Sequence, residues 1–108
     1  MPNPPRPSIF AATHPVIALL HLLPLPGAPR FGGDAQAVRD HLLRDVEILT
    51  AAGVDGLMLE NFGDTPFYPR RVPAAVVAQM TALAAEVRTA TPLPLGINVL
   101  RNDGCSAL

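Results

Sequence analysis

Glu60 and Asn61 close an apolar run, Val54–Leu59, and a carboxylate placed there is costly unless it is paired or put to use. Glu60 could serve as a general base or a metal ligand. The competing reading is a structural ion pair with Arg101 across neighbouring strand ends. His21 interrupts another apolar run, Val16–Leu25, either as an acid/base or ligand or as a hydrogen-bonded core histidine. A third run, Leu95–Leu100, carries Asn98 and ends in Arg101-Asn102-Asp103. Asn98 shares parity with Leu100 and Asn102, so one of these amides should point inward and could orient a carbonyl. Arg101 and Asp103 could instead cap a following helix. Asp64, Phe67 and Tyr68 lie in a long loop, where they either bind a ligand or pack as a rim.

Other chemistry finds little support. His21, Glu60 and Asp64 are metal-binding types but lack close ligand spacing, so no metal set is assigned. Ser8, Ser106 and Cys105 lie at the chain ends, outside the core, so nucleophilic catalysis through a hydroxyl or thiol of this kind finds no support. All eight basic residues are Arg, and without Lys no Schiff base can originate here. The lone Cys105 excludes an intramolecular disulfide. No pattern assigns a cofactor.

The 108 residues, 49% apolar with a formal net charge of −1, fit a globular domain and not a nucleic-acid binder. Arg70-Arg71 could touch a phosphate or an anionic membrane, though a solvated rim explains two charges equally well. The run Val16–Leu25 is half the ~20 residues of a membrane-spanning helix. His21, Pro24 and Pro26 argue against a secretory signal there.

The elements that must position these groups follow from pattern. Met1–His14 is Pro-rich and reads as a loose arm. Pro15–Leu22 reads as a buried strand, and prolines from Pro24 onward make a loop to Gly33. Asp34 stands as N-cap to a helix over Ala35–Ala52, with Val38, Leu42 and Val46 on one face and Gly53 as terminator. Val54–Glu60 is the second strand. The loop Asn61–Val72 is long for a βα connection. Pro73 opens a second helix, to about Ala90, with Val76, Met80, Leu83 and Val87 as its stripe. Leu95–Leu100 is the third strand, and Gly104–Leu108 is too short to classify alone.

The order β-α-β-α-β with apolar, non-alternating strands predicts an α/β fold with parallel crossovers. An open doubly wound sheet and a TIM barrel both satisfy it. The first βα turn reads Leu-Pro-Leu-Pro-Gly, without the dinucleotide fingerprint.

Several stretches resemble the BtpA/SgcQ family. These are Pro15-Val16-Ile17 running into His21-Leu22-Leu23-Pro24-Leu25-Pro26-Gly27, Asp45, the whole of Gly53–Pro69, and Pro94 to Asp103. They cover about residues 14–103. The resemblance implies a (β/α)8 barrel of the ribulose-phosphate-binding type. Residues 15–108 would supply its strands 1–3, helices 1–2 and the start of helix 3. A full barrel needs about 250 residues, so the chain reads as an N-terminal part. Where the family begins its third helix with a small-residue stretch, this chain reads Gly104-Cys105-Ser106-Ala107-Leu108.

In such a barrel, polar groups at C-terminal strand ends face the mouth. That makes Glu60 and His21 the candidate catalytic pair, with Asn61, Asp64, Asn98, Arg101, Asn102 and Asp103 as candidate substrate-binding residues. The family also includes a photosystem I biogenesis factor. The resemblance therefore implies a role in biogenesis or stabilisation of a membrane complex, in the cytoplasm or peripheral to a membrane. The alternative is an enzyme acting on a small phosphorylated or sugar-like metabolite at the mouth; a further one is a truncated fragment without function of its own. If each strand turns about three apolar side chains inward, ~1.5–3 kcal/mol per side chain gives a deficit on the order of 10–25 kcal/mol. That exceeds a domain's net stability of about 5–15 kcal/mol. The chain alone is expected to self-associate or to need the rest of the barrel.

Overall fold

The computed structural model describes residues 8–108. The arm expected over residues 1–14 thus falls partly on residues 1–7, outside the described ones. Three strands, β1 (Ile17–His21), β2 (Gly56–Glu60) and β3 (Leu95–Asn98), alternate with α1 (Ala35–Ala52), α2 (Ala74–Ala90) and a short α3 (Gly104–Ala107). The strands form one parallel sheet in the order β1-β2-β3. The protein is therefore α/β, with successive strands adjacent.

α1 has the ends its sequence demands. The Asp34 carboxylate accepts from the Ala37 N–H at 3.2 Å, and Gly53 at φ 86° donates its N–H to the Leu49 and Thr50 carbonyls. Val38, Leu42 and Val46, spaced by four, are its buried residues. At ~1.5–3 kcal/mol per buried aliphatic side chain, that stripe outweighs the ~1 kcal/mol of an N-cap. Docking on the sheet, more than capping, holds the helix. α2 has no side-chain cap at Pro73 and buries Met80 and Val87.

The strands are shorter than the apolar runs, because backbone groups at their ends find other partners. The Val16 N–H goes to Asp55 Oδ2 at 2.8 Å. The Val54 N–H is drawn back to the Leu49 carbonyl. Beyond Asn98, both backbone polar groups of Leu100 turn to the Asn61 side chain.

Alternation divides the sheet into two faces. Leu20, Leu22, Leu57, Leu59 and Val99 are buried with the helix stripes. The opposite face has three registered rows: Ile17 with Gly56, Leu19 with Met58 and Gly96, and His21 with Glu60 and Asn98. The glycines make room there. A β-carbon on Gly96 would come within 2.7 Å of Met58 Cε, and one on Gly56 within 2.9 Å of the Phe10 ring. So the strands themselves contribute only Ile17, Leu19 and Met58 as apolar side chains on this face, far fewer than the nine expected. Ile17 and Leu19 are about half exposed, so covering the three would recover roughly 2–5 kcal/mol, well below the 10–25 kcal/mol expected.

Candidate functional site

Parallel pairing sets His21, Glu60 and Asn98 side by side at the C-terminal ends of three strands. The Glu60 carboxylate is held from both sides. Oε2 lies 3.0 Å from His21 Nε2, and Oε1 accepts from Asn98 Nδ2 at 2.9 Å. The Glu60 side chain is 13% exposed against 41% for His21. Glu60 is thus the shielded member and His21 the open one. The hydrogen on Nε2 points at the carboxylate, so a neutral imidazole carries its lone pair on Nδ1. Among the described residues, Nδ1 has no hydrogen-bond partner.

Phe62 stacks on the imidazole, with ring centroids 4.2 Å apart and planes 12° from parallel. Sequence reasoning did not single it out; its place two residues beyond a strand-end carboxylate was the available signal. The turn that brings it there depends on Gly63, whose N–H donates to the Leu22 carbonyl at 3.0 Å. A β-carbon on Gly63 would meet Pro24 N at 2.5 Å and Leu22 O at 2.7 Å. Those are backbone atoms that cannot swing aside, so only glycine lets the loop lie this close to β1.

The alternative pairing of Glu60 with Arg101 does not form. Both carboxylate oxygens are taken by His21 and Asn98, while Arg101 sits in an exposed turn past β3 and gives its backbone N–H to the Tyr68 carbonyl at 3.2 Å. Asn102 is exposed at φ 65°, a left-handed conformation that asparagine tolerates. Of the two amides at this parity, Asn98 joins the cluster.

Asn61 and Asp103 are engaged with backbone. Asn61, 1% exposed, donates to the Leu100 carbonyl at 3.0 Å and accepts the Leu100 N–H at 2.6 Å. Asp103 Oδ2 accepts from the Ser106 hydroxyl at 2.6 Å and from the Val72 N–H at 2.9 Å, and Oδ1 caps α3 through the Ser106 N–H. The Ser106 hydroxyl foremost, then the Val72 N–H, hold its carboxyl below the usual carboxylate range. Asp64 behaves oppositely. Burial raises its pKa, and the Leu25 N–H and the Asn61 amide offset only part of that. Its Oδ1 accepts from the Leu25 N–H at 2.8 Å. With Phe67 and Tyr68 it lines a cleft bounded by α2, and no hydrogen bond or ion pair among the described residues joins the Asp64 carboxylate to His21, Glu60 or Asn98. No group of three metal-binding side chains converges among the described residues.

The family model described as the BtpA family matches residues 12–108. The chain belongs to the BtpA family. Among BtpA-family relatives, the photosystem I biogenesis protein BtpA of Synechocystis is 46% identical over 99 residues, covering 92% of this chain and 34% of that protein. An uncharacterised protein of Pyrococcus furiosus is 47% identical over 89 residues, covering 82% of this chain and 34% of its own length. The putative sgc region protein SgcQ of Escherichia coli is 36% identical over 89 residues, with 79% and 32% covered. The chain spans about a third of the length of the curated relatives it matches. No solved structure matches it. Among the described residues, no helix is long and apolar enough to cross a membrane.

Proposed function

We propose that the chain supplies the first three βα units of a (β/α)8 barrel whose mouth carries out acid–base chemistry on a small polar metabolite. The observation that carries this reading is the Glu60 carboxylate gripped between His21 at 3.0 Å and Asn98 at 2.9 Å across three adjacent strand ends. His21 is the proton-transfer group, working through Nδ1. Glu60 holds the imidazole in the tautomer that frees this nitrogen and stabilises the imidazolium once it forms, as the carboxylate of a catalytic triad does. Asn98 fixes the carboxylate, and the Phe62 ring keeps the imidazole plane in place. The exchange of roles is a consequence of geometry: a half-exposed imidazole can reach a substrate, and a carboxylate with both oxygens engaged cannot. Fold analogy favours a phosphorylated or sugar-like substrate, and its phosphate-binding turns would come from later strands.

The test is made at the matching positions of a full-length family member. Positioned proton transfer contributes about 10²–10⁴-fold. His21→Gln should lower kcat by that order, and Glu60→Gln should lower it while leaving the thermal midpoint unchanged or higher. Loss of stability with catalysis intact would make the cluster structural and overturn the proposal.

A second reading is support for a membrane complex, and its motivation is the 46% identity to a photosystem I biogenesis protein. The exposed Arg70-Arg71 pair would then meet an anionic surface or partner. Protease cutting within Phe62–Arg71 separates the readings. Protection by metabolites alone supports the enzyme, and protection only by membranes or a membrane complex supports the assembly role.

A further inference from the structure

Glu60 and Asn61 are consecutive, so their side chains leave β2 on opposite faces. The acid–base cluster lies on the face away from the helices. Behind Asn61, on the helix side, is a separate cleft of about 410 Å³, within the ~300–1,000 Å³ range of small-molecule sites. Besides Leu100, past β3, its walls come from three places. Pro26 and Pro29 belong to the loop after β1, Phe67 and Tyr68 to the loop after β2, and Val76 to the first turn of α2. Among the described residues, Asp64 is the one charged side chain lining it, and no arginine or histidine does. The Asn61 amide, the other polar side chain present besides Tyr68, is committed to the Leu100 backbone.

We propose that this cleft binds a small organic cation: an ammonium group carried on a compact apolar body. An anion would meet a carboxylate between apolar walls with no basic group to balance it. A neutral apolar molecule would strip more water from that carboxylate and return nothing. An ammonium does return something, since the carboxylate's present hydrogen-bond donor, the Leu25 N–H, carries no full charge. A charge-assisted hydrogen bond is roughly twice as strong as a neutral one. The Phe67 and Tyr68 rings add attraction for a cation where their faces are offered. The desolvation that already raises the Asp64 carboxyl supports the same conclusion, because cation binding relieves it.

Tyr68 is the only tyrosine and there is no tryptophan, so the intrinsic emission of the chain reports on this cleft directly. The cleft also faces away from the uncovered side of the sheet, so self-association through that side leaves it open. Cyclohexylamine, cyclohexanol and cyclohexanecarboxylate are titrated against the full chain. Cyclohexylammonium should change Tyr68 emission saturably, and the alcohol and the carboxylate should bind about tenfold or more weakly. Asp64→Asn keeps an oxygen acceptor for the Leu25 N–H and should weaken the cation by about the same factor. Binding should also fade as acid protonates Asp64. Equal binding of the alcohol, an undiminished D64N, or no saturable change up to tens of millimolar cyclohexylammonium would overturn the proposal. Should D64N lose its circular dichroism signature, the wild-type pH titration decides alone: loss of affinity with acid supports the site, and pH-independent binding refutes it.

Discussion

Replacing Asn61 by alanine should cost the fold more than its polar character suggests. The side chain is 1% exposed and satisfies the Leu100 carbonyl at 3.0 Å and the Leu100 N–H at 2.6 Å. Asn61→Ala leaves both backbone groups without a partner. At about 1–3 kcal/mol per unsatisfied group, the loss spans roughly 2–6 kcal/mol. The adjoining cleft can admit water to Leu100, which favours the lower half of that range, about 2–4 kcal/mol. Against a net stability of about 5–15 kcal/mol, this is a large fraction for one buried amide. Urea unfolding should show the midpoint falling at constant slope. Hydrogen exchange supplies a local check, because the Leu100 amide should be protected in the wild type and fast in the variant. A change below about 0.5 kcal/mol, typical of an ordinary surface site, with the Leu100 amide still slow, would refute the reasoning. Asn61 would then be free to serve a ligand.

Asp103 and Asp64 should push the pH dependence of stability in opposite directions. The Asp103 carboxyl is lowered in the fold, so its contribution is present above the unfolded pKa and is lost as pH falls through the folded value; Asp103→Asn should remove that acid limb from urea midpoints measured against pH. The Asp64 carboxyl is raised, so wild-type stability declines as pH rises from the unfolded pKa through the folded one. Asp64→Asn should be the more stable protein at neutral pH and match the wild type in acid, and a D64N midpoint below wild type at neutral pH would contradict this. The uncovered sheet face and the outer strands β1 and β3 should make the chain associate. Sedimentation should show Leu19→Glu shifting it towards monomer, whereas a wild type already monomeric with slow amides in all three strands would refute that expectation.

What the sequence determined by itself was the local structure, because those signals act within a few residues. Asp34 three residues ahead of Ala37, the four-residue spacing of Val38, Leu42 and Val46, and Gly53 with its tolerance of φ 86° fix α1 at both ends. The polar groups His21, Glu60 and Asn98, each at or near the end of an apolar run, do lie together at the C-terminal end of the sheet. What they touch was decided only in three dimensions. Glu60 could have met Arg101 or His21 on sequence grounds, and pairing registers settled it by placing His21, Glu60 and Asn98 in one row. Asn61 and Asp103 look like site residues in a string of letters. In the fold each satisfies backbone groups some thirty to forty positions away, Leu100 and Val72, and nothing local announces those partners. Gly63 and Phe62 are the same case seen from the other side. The need for glycine arises from the Leu22 and Pro24 backbone, and the stacking on His21 exists only because that close approach is possible. Gly56 and Gly96 carry no signal of their role in the sequence; in the sheet they are the spaces that Phe10 and Met58 fill. Side-chain periodicity is a property of one element; partnership depends on register and on which backbone passes nearby, and those are set when the strands pair.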